Sequence, residues 1–501
     1  MNKSLLRRDF LKQTALAAGA AAIPSSLMPA QQPPAPTPSP APPRPHFPTS
    51  DPAWLSTWDA ALAVLAGNVR SMPRYDHPVL VEGSTYAGIW LECAPQEGQV
   101  YGTLQQYVAT PEGQPTLLQT ARANHMAFFA QQKEDGQLPA SIKLADKVGT
   151  SAGYGQIQMV VPIAATAWDI FQLTHDEVFL AAAYASCSRW DAWLRQYRDT
   201  RKTGLVEGFC TYDTGMDNSP RWNGIPRQCP DADARKCPPI PTMPRLCPDL
   251  SATVYGGRIA LAAMAHALGK RDDEARWLAD AEHIRRLILT KLYSPEDGAF
   301  YDLDAQNNFV RVRGDLISRV LGEHVIDPHQ DKTIFEAVWT KQIHNPKAFW
   351  APYPLTSIAM DDPTFVRPIP RNSWGGASQA LTALRAPRWM AFYGKHAELN
   401  TMMQQWCSAI MRHTEFRQQM DPLTGDFTQP DPGGYSPCAL TFLDFAPPPQ
   451  PWLAKSGTFT LVEPSQAPRS PQSFGYRRGR ISSRPWRTPV RWRAMGSDSL
   501  R

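Results

Sequence analysis

The stretch "QIQMVVPIAATAWDIFQLTHDEVFLAAAYASCSRWDAWLRQYRD", residues 156–199, sets the architecture. Its apolar residues recur at helical rather than alternating spacing, and a short turn after His175 divides it into two antiparallel helices. The pattern returns along the chain. "LSATVYGGRIALAAMAHALGK" (250–270) is followed by "DDEARWLADAEHIRRLILTKLY" (272–293), whose Asp-rich start caps the second helix. "WGGASQALTALRAPRWMAFYGK" (374–395) precedes "AELNTMMQQWCSAIMRHTEF" (397–416), and "GGYSPCALTFLDF" (433–445) reads as a last inner helix. Near the start, "PAWLSTWDAALAVLAGNV" (52–69) places Trp54, Trp58, Leu62 and Leu65 on one face. The segments between pairs, 205–249, 293–315 and 345–374, are long and bear Gly and Pro, and loops of that length inside a compact fold are usually functional. A toroid of helical hairpins explains both features, with short turns at one end and long loops walling a pocket at the other.

Charge limits the partners. Of the formal +5, residues 1–50 carry about +4 and 467–501 about +8, which leaves the middle at about −7. A core without a basic stripe is not built to neutralise phosphates, so nucleic acid is not expected as a partner. "NKSLLRRDFLKQTALAAGAAAIPSSLMPA" pairs Arg7-Arg8 with Phe10, Leu11 and Lys12 ahead of an Ala-rich run, and so resembles a twin-arginine export signal, with cleavage after Ala30. That implies the twin-arginine export machinery as a partner and a periplasmic or extracellular location. No run is long and apolar enough to span a bilayer. The expected organisation is therefore a signal peptide over 1–30, a Pro-rich linker over 31–50, a helical domain over 51–465 and a basic, disordered tail over 466–501. Of eight cysteines, Cys210, Cys229, Cys237 and Cys247 crowd one loop-rich region, where one or two disulfides are expected. The histidines show no HExxH-like spacing, so neither a catalytic metal nor another cofactor is expected.

"GFCTYDTGMDNSPRW", residues 208–222, holds Asp217 among small residues and an Arg-Trp pair. A proton donor for glycoside cleavage must be a carboxyl kept protonated by a partly apolar site, which Met216 and Trp222 could supply. From residue chemistry alone, a solvated Asx turn competes with that role. "TGMDNSPRW" resembles the segment that carries the proton-donating aspartate in the clan of inverting α-glycosidases that includes mannosylglycerate hydrolases, trehalases and processing α-glucosidase I. "YGQIQMVVPIAATAW", "RDTRKTGLVEG", "LYSPEDGAFYDLD" and "DPLTG" (421–425) extend the likeness in the same order. The resemblance implies an all-α (α/α)6 barrel, an inverting hydrolase of α-linked glucosides, mannosides or related oligosaccharides, a carbohydrate as partner, and Asp217 as general acid.

The pattern is broken where the base should stand. In the family a glutamate lies three positions before the "DP" of "DPLTG"; here that position holds Gln418, whose amide cannot take a proton from water. Glu415 or Asp421 could serve in its place. Otherwise a phosphorylase would need no base, and a catalytically silent glycan-binding protein would need neither group. Trp90 and Glu92 stand where the family has Trp followed closely by Asp near a sugar subsite. Gln158, Arg221, Trp222, Trp350 and Trp374 complete the expected sugar contacts, as hydrogen-bonding groups and stacking faces that core packing, or satisfied buried polar roles, equally explain. A lyase is a weaker fit, since it would want a Tyr/His or Asn/Arg site. Asp249, at a helix start, reads as an N-cap.

Overall fold

The computed structural model describes residues 51–72, 75–108, 110–144, 151–429 and 433–446, all within one compact unit. The expected signal peptide, the Pro-rich linker and the basic tail lie outside the described residues. Twelve α-helices lie among those described: α1 (Ala53–Asn68), α2 (Ala94–Thr103), α3 (Leu117–Ala130), α4 (Ile163–Thr174), α5 (Glu177–Tyr197), α6 (Pro248–Ala267), α7 (Arg271–Leu287), α8 (Leu316–Gly322), α9 (Lys332–Val338), α10 (Ala380–Phe392), α11 (His396–His413) and α12 (Ser436–Phe445). The even-numbered helices contact one another in the closed order α2, α4, α6, α8, α10, α12 and back to α2, while the odd-numbered ones pack outside them. This arrangement fits the six-hairpin (α/α)6 toroid.

Residue types explain which helices are inner. In α2 every residue from Ala94 to Gly102 is buried, and α12 is buried over nearly its whole length, as a helix walled on all sides must be. The outer α7 buries only Trp277, Ala281 and Ile284 and carries Asp272, Asp273 and Glu274 in its first turn, with Arg285 and Arg286 in its last. That polarity complements the helix dipole. In α5, Asp176 caps the start by accepting from the Phe179 amide at 2.9 Å, as the split after His175 requires; His175 itself takes the left-handed conformation that ends α4.

Connections from inner to outer helices are mostly short, such as 175–176 between α4 and α5 and 268–270 between α6 and α7. Those from each outer helix to the next inner one are long: 69–93, 131–162, 198–247, 344–379 and 414–435, with 293–315 between α7 and α8 once the single π turn that closes α7 is set aside. Six long connections therefore gather where the inner helices begin. Short strands knit them. Gly88–Trp90, Ser141–Lys143 and Ser151–Gly153 form one antiparallel sheet; Phe309–Val310, Asp302–Leu303, Arg245–Leu246 and Glu207–Gly208 form another. Ser378–Gln379 pairs with Gln419–Met420, in register Ser378 with Met420.

The structure corrects three expectations. Gln158 is not on an inner helix: α4 begins only at Ile163, after Pro162, and Gln158 sits in the preceding loop at φ +46°. Asp249 is not the N-cap of α6; Cys247 holds that place and the Asp249 carboxylate is engaged by arginines instead. The cysteines are free thiols. Cys210 and Cys229 do lie with Sγ atoms 3.7 Å apart, well beyond a bonded pair, and Cys237 packs against them. Oxidation should accordingly join Cys210 to Cys229 before any other pair, closing the loop that carries Asp217. Non-reducing peptide mapping after treatment with oxidised glutathione checks this, and a linked peptide through any other cysteine contradicts it.

Candidate active site

Asp217 lies in the 198–247 connection, just after a 3-10 turn (Thr211–Thr214) that Gly215 ends at φ +62°. Glycine is required there twice over, because that backbone is left-handed and a Cβ would stand 1.7 Å from Glu92 Oε2. Beneath the turn, Asp213 is fully buried and accepts from Arg198 Nη1 at 2.5 Å and Nη2 at 3.0 Å, and from the amides of Ile157 and Phe209. The loop is thus anchored by a satisfied ion pair, and Asp217 is presented above it.

The Asp217 carboxyl is half-buried, and burial pushes it up to about 6; the amide of Asn372 and the charge of Arg227 oppose the shift only in part. Asn372 Nδ2 donates to Asp217 Oδ2 at 3.4 Å, and Asn372 Oδ1 accepts from Gln418 Nε2 at 3.0 Å. Gln418 Oε1 in turn accepts from Tyr86 Oη at 2.8 Å and from Gln429 Nε2 at 3.0 Å. This chain of hydrogen bonds has a direction. With Oδ2 held as an acceptor, the proton of Asp217 belongs on Oδ1, where a leaving-group oxygen could receive it. The strand pair Ser378–Gln379 with Gln419–Met420 fixes Gln418 at the edge of the network.

Glu92 is the other half-buried carboxyl here. Burial and then the Asp217 charge push it up to about 7, against a Gln158 hydrogen bond and the charges of Arg319 and Arg385. Its Oε2 has no hydrogen-bond partner among the described residues. Glu82 accepts from Tyr435 Oη at 2.8 Å and is raised well above the usual carboxylate range by burial, then by Glu97 and Glu92. Glu97, fully buried on α2, is pushed up to about 8 by burial; the weak donor beside it is the Cys93 thiol. A group of carboxyls this dense stays neutral in part, since like charges at close range in a poorly solvated site cannot all ionise. The two cations whose charge reaches Glu92 are shared: Arg319 Nε donates to Asp315 Oδ2 at 2.9 Å and Arg385 Nη2 to the same oxygen at 3.0 Å.

The structure brings together Asp217, Gln418, Gln158, Glu92 and Trp90, the last edge-on to Tyr86 at 5.7 Å. It does not bring the others. Glu415 is 49% exposed and its carboxylate accepts from Arg417 Nε at 2.6 Å. Asp421 serves its own turn, accepting from the Leu423 amide at 2.8 Å, and meets Arg367 at 3.2 Å. Arg221 is 1% exposed with all five N–H groups engaged, four by Asp249 and Asp302 at 2.7–2.8 Å and one by Met216 Sδ, so no donor remains for a hydroxyl. Trp222 and Trp374 are each 2% exposed, the former under Arg221 and Arg245 and the latter under Arg319, and a buried ring offers no stacking face. Trp350 packs on His344 and Trp339. Arg221, Trp222 and Trp374 are thus enclosed by ion pairs and packing, whereas Trp350 is half-buried against aromatic neighbours.

Tyr86, Asn372, Gln429, Glu82, Glu97 and Tyr435 are members of the site that sequence reasoning missed. Asn372 lies two residues before Trp374, in the long connection ahead of α10.

A 60-residue stretch is 35% identical to the glucosylglycerate hydrolase of Mycolicibacterium hassiacum, covering 11% of this chain and 14% of that protein. The fold resembles that of the GH63 mannosylglycerate hydrolase from Thermus thermophilus in complex with glucose, at TM-score 0.57 and 18% identity over 78% of this chain and 99% of that one. It also resembles the neutral trehalase Nth1 of Saccharomyces cerevisiae, at TM-score 0.54 and 12% identity over 74% of this chain and 73% of that one. Residues 113–437, which include Asp217 and Gln418 and end inside α12, match the family model described as the mannosylglycerate hydrolase MGH1-like glycoside hydrolase domain, and the chain belongs to that glycoside hydrolase family.

Proposed function

We propose that this protein hydrolyses a small α-linked glucoside or mannoside with inversion, Asp217 protonating the leaving oxygen, and that it does so outside the cytoplasm after export by the twin-arginine route. The observation that carries the chemistry is the half-buried Asp217 carboxyl, raised to about 6 and held at one oxygen by Asn372. Glycosides of glycerate head the candidate substrates, because the relatives named above act on mannosylglycerate and glucosylglycerate. Gln418 favours a second activity class, a glycan-binding protein that does not turn its ligand over, since it holds a water or hydroxyl without taking a proton.

The test is product analysis by proton NMR of the full chain with glucosylglycerate, mannosylglycerate and trehalose, with and without inorganic phosphate. Phosphate-independent release of the β-anomer first is the expected result. The rate should fall as pH rises past about 6, because Asp217 must keep its proton and its raised value is lost to ionisation above that point. Binding without release would leave the silent protein as the correct description, and release that requires phosphate would make it a phosphorylase.

A further inference from the structure

Buried aspartates in this molecule are given an arginine: Asp213 has Arg198, Asp249 and Asp302 share Arg221, and Asp315 has Arg319 and Arg385. Three glutamates near the start of α2 are treated differently. Glu82, 2% exposed, receives the Tyr435 hydroxyl, and the half-buried Glu92 receives the Gln158 amide. Glu97 is fully buried in the first turn of α2, and neither of its oxygens accepts a hydrogen bond; Glu92 Oε2, also sealed from water, accepts none. Beside Glu97 stands the Cys93 thiol, fully buried at the N-cap of α2 and four residues back, hence on the same face of the helix. One donor atom from each of Glu82, Glu92 and Cys93 lies within 4.8 Å of the other two. Two ligands on opposite sides of a zinc ion stand at most about 4.5 Å apart, since zinc–oxygen and zinc–sulfur bonds run about 2.0–2.3 Å. Three carboxyl oxygens shut away from water without a donor are costly in a native fold and call for an occupant. One cation meets all three and the thiol; one water, with two protons to give, does not.

We infer that Glu82, Glu92 and Cys93, with Glu97 beside the thiol as fourth donor, bind one divalent cation of the zinc class as a structural ion. It does not depend on the hydrolysis proposed above, and no reaction step runs through the ion. A thiolate ligand favours zinc over calcium or magnesium, and carboxylate oxygens are donors that zinc also accepts. The ligands must give up their protons to bind. Burial raises Cys93 and Glu82 well above their ordinary ranges and pushes Glu97 up to about 8, so near neutral pH the metal-free group holds protons. On binding, the S–H bond and carboxyl O–H bonds break as bonds to the metal form, and the protons pass to solvent. The ion has a definite place in the fold. Cys93 caps α2, and Glu92 lies against Gly215 on the loop that presents Asp217, so one cation ties the start of an inner helix to that loop. Because the donors are buried, the ion is taken up as the chain folds.

The test uses the full chain, unfolded in urea with EDTA, freed of chelator and refolded with zinc chloride or without metal. Elemental analysis after gel filtration should find one zinc per chain, and the zinc-refolded protein should melt about 5 °C or more above the metal-free one, since a ligand bound only by the folded state raises its midpoint. Cobalt(II) in place of zinc should give thiolate-to-metal absorption in the near ultraviolet, which Cys93→Ser removes. Cys93→Ser and Glu97→Gln should each weaken zinc retention against a competing chelator by at least 10–100-fold, the loss seen when even a group that only supports a ligand is removed. Cys210→Ser and Cys229→Ser, in the other group of buried thiols, should leave it unchanged. Zinc that survives Cys93→Ser but is lost with Cys210→Ser belongs to those thiols and overturns the site. Calcium or magnesium held in preference to zinc would overturn the thiolate ligand. No bound ion, with the two melting points equal, would leave the four side chains as a neutral buried cluster. Should Cys93→Ser or Glu97→Gln fail to fold, the zinc count and the cobalt spectrum of the unaltered protein still decide. Glycoside turnover is measured separately on the metal-free and zinc-refolded proteins, so failure of the ion leaves the hydrolase untouched.

Discussion

Asp217→Asn lowers the turnover of an unactivated glycoside by about 10²–10⁴-fold, the range removed when a positioned proton donor is lost, or roughly 3–5 kcal/mol of barrier. The substitution is nearly isosteric, and the new amide oxygen can still accept from Asn372 Nδ2, so the chain of bonds through Gln418 to Tyr86 survives. Ligand affinity, measured by calorimetry, should stay within a few-fold. The discriminating substrate is a glycosyl fluoride, whose leaving group departs without a proton. On it the variant should lie within about tenfold of the unaltered protein, because only the protonation step has been removed. Equal losses on both substrates would mean that Asp217 shapes the pocket rather than supplying a proton, and no loss on either would place the acid elsewhere.

How much of this was legible beforehand follows from where each signal resides. The pairs α4/α5, α6/α7 and α10/α11 announce themselves because their outer members are amphipathic over 17 residues or more. Helix α2 carries no stripe at all, being buried on every side, and α8 and α9 have seven residues each, too short for a period to emerge. Asp217 was found through a local motif. Its partners could not be found that way, since Asn372 is 155 residues away from it and Tyr86 is 332 from Gln418. The same gap misassigned Arg221: beside Asp217 in sequence it looks like a sugar ligand, and only the fold reveals that Asp249 and Asp302, 28 and 81 residues on, already hold it.

Arg221 therefore carries a large expected stability effect. Its guanidinium ties the acid loop to the first turn of α6 and to the strand Asp302–Leu303, with both carboxylates 1–2% exposed. Arg221→Met removes the cation but keeps the volume, and leaves Asp249 and Asp302 facing each other with only Arg319, 3.6 Å from Asp249, as residual compensation. Breaking one buried pair this way costs about 3–5 kcal/mol, a large part of the roughly 5–15 kcal/mol that holds a domain folded. The loss should appear as a marked drop in urea midpoint at neutral pH. Its pH dependence has a definite sign. In the unaltered protein Arg221 is a main force holding the Asp249 carboxyl below its ordinary value, so the stability it contributes is present above the unfolded carboxylate value and lost on acidification. Without Arg221 the buried carboxyls shift up instead, so the variant gains relative stability as they protonate and the gap between the two proteins narrows toward pH 4. Replacing both aspartates by Asn in the same variant should recover much of the loss, because no buried charge is then left unpaired. A midpoint unaffected by Arg221→Met would show that the three groups do not act as a buried unit, whereas a stable variant with a raised KM would return Arg221 to the sugar.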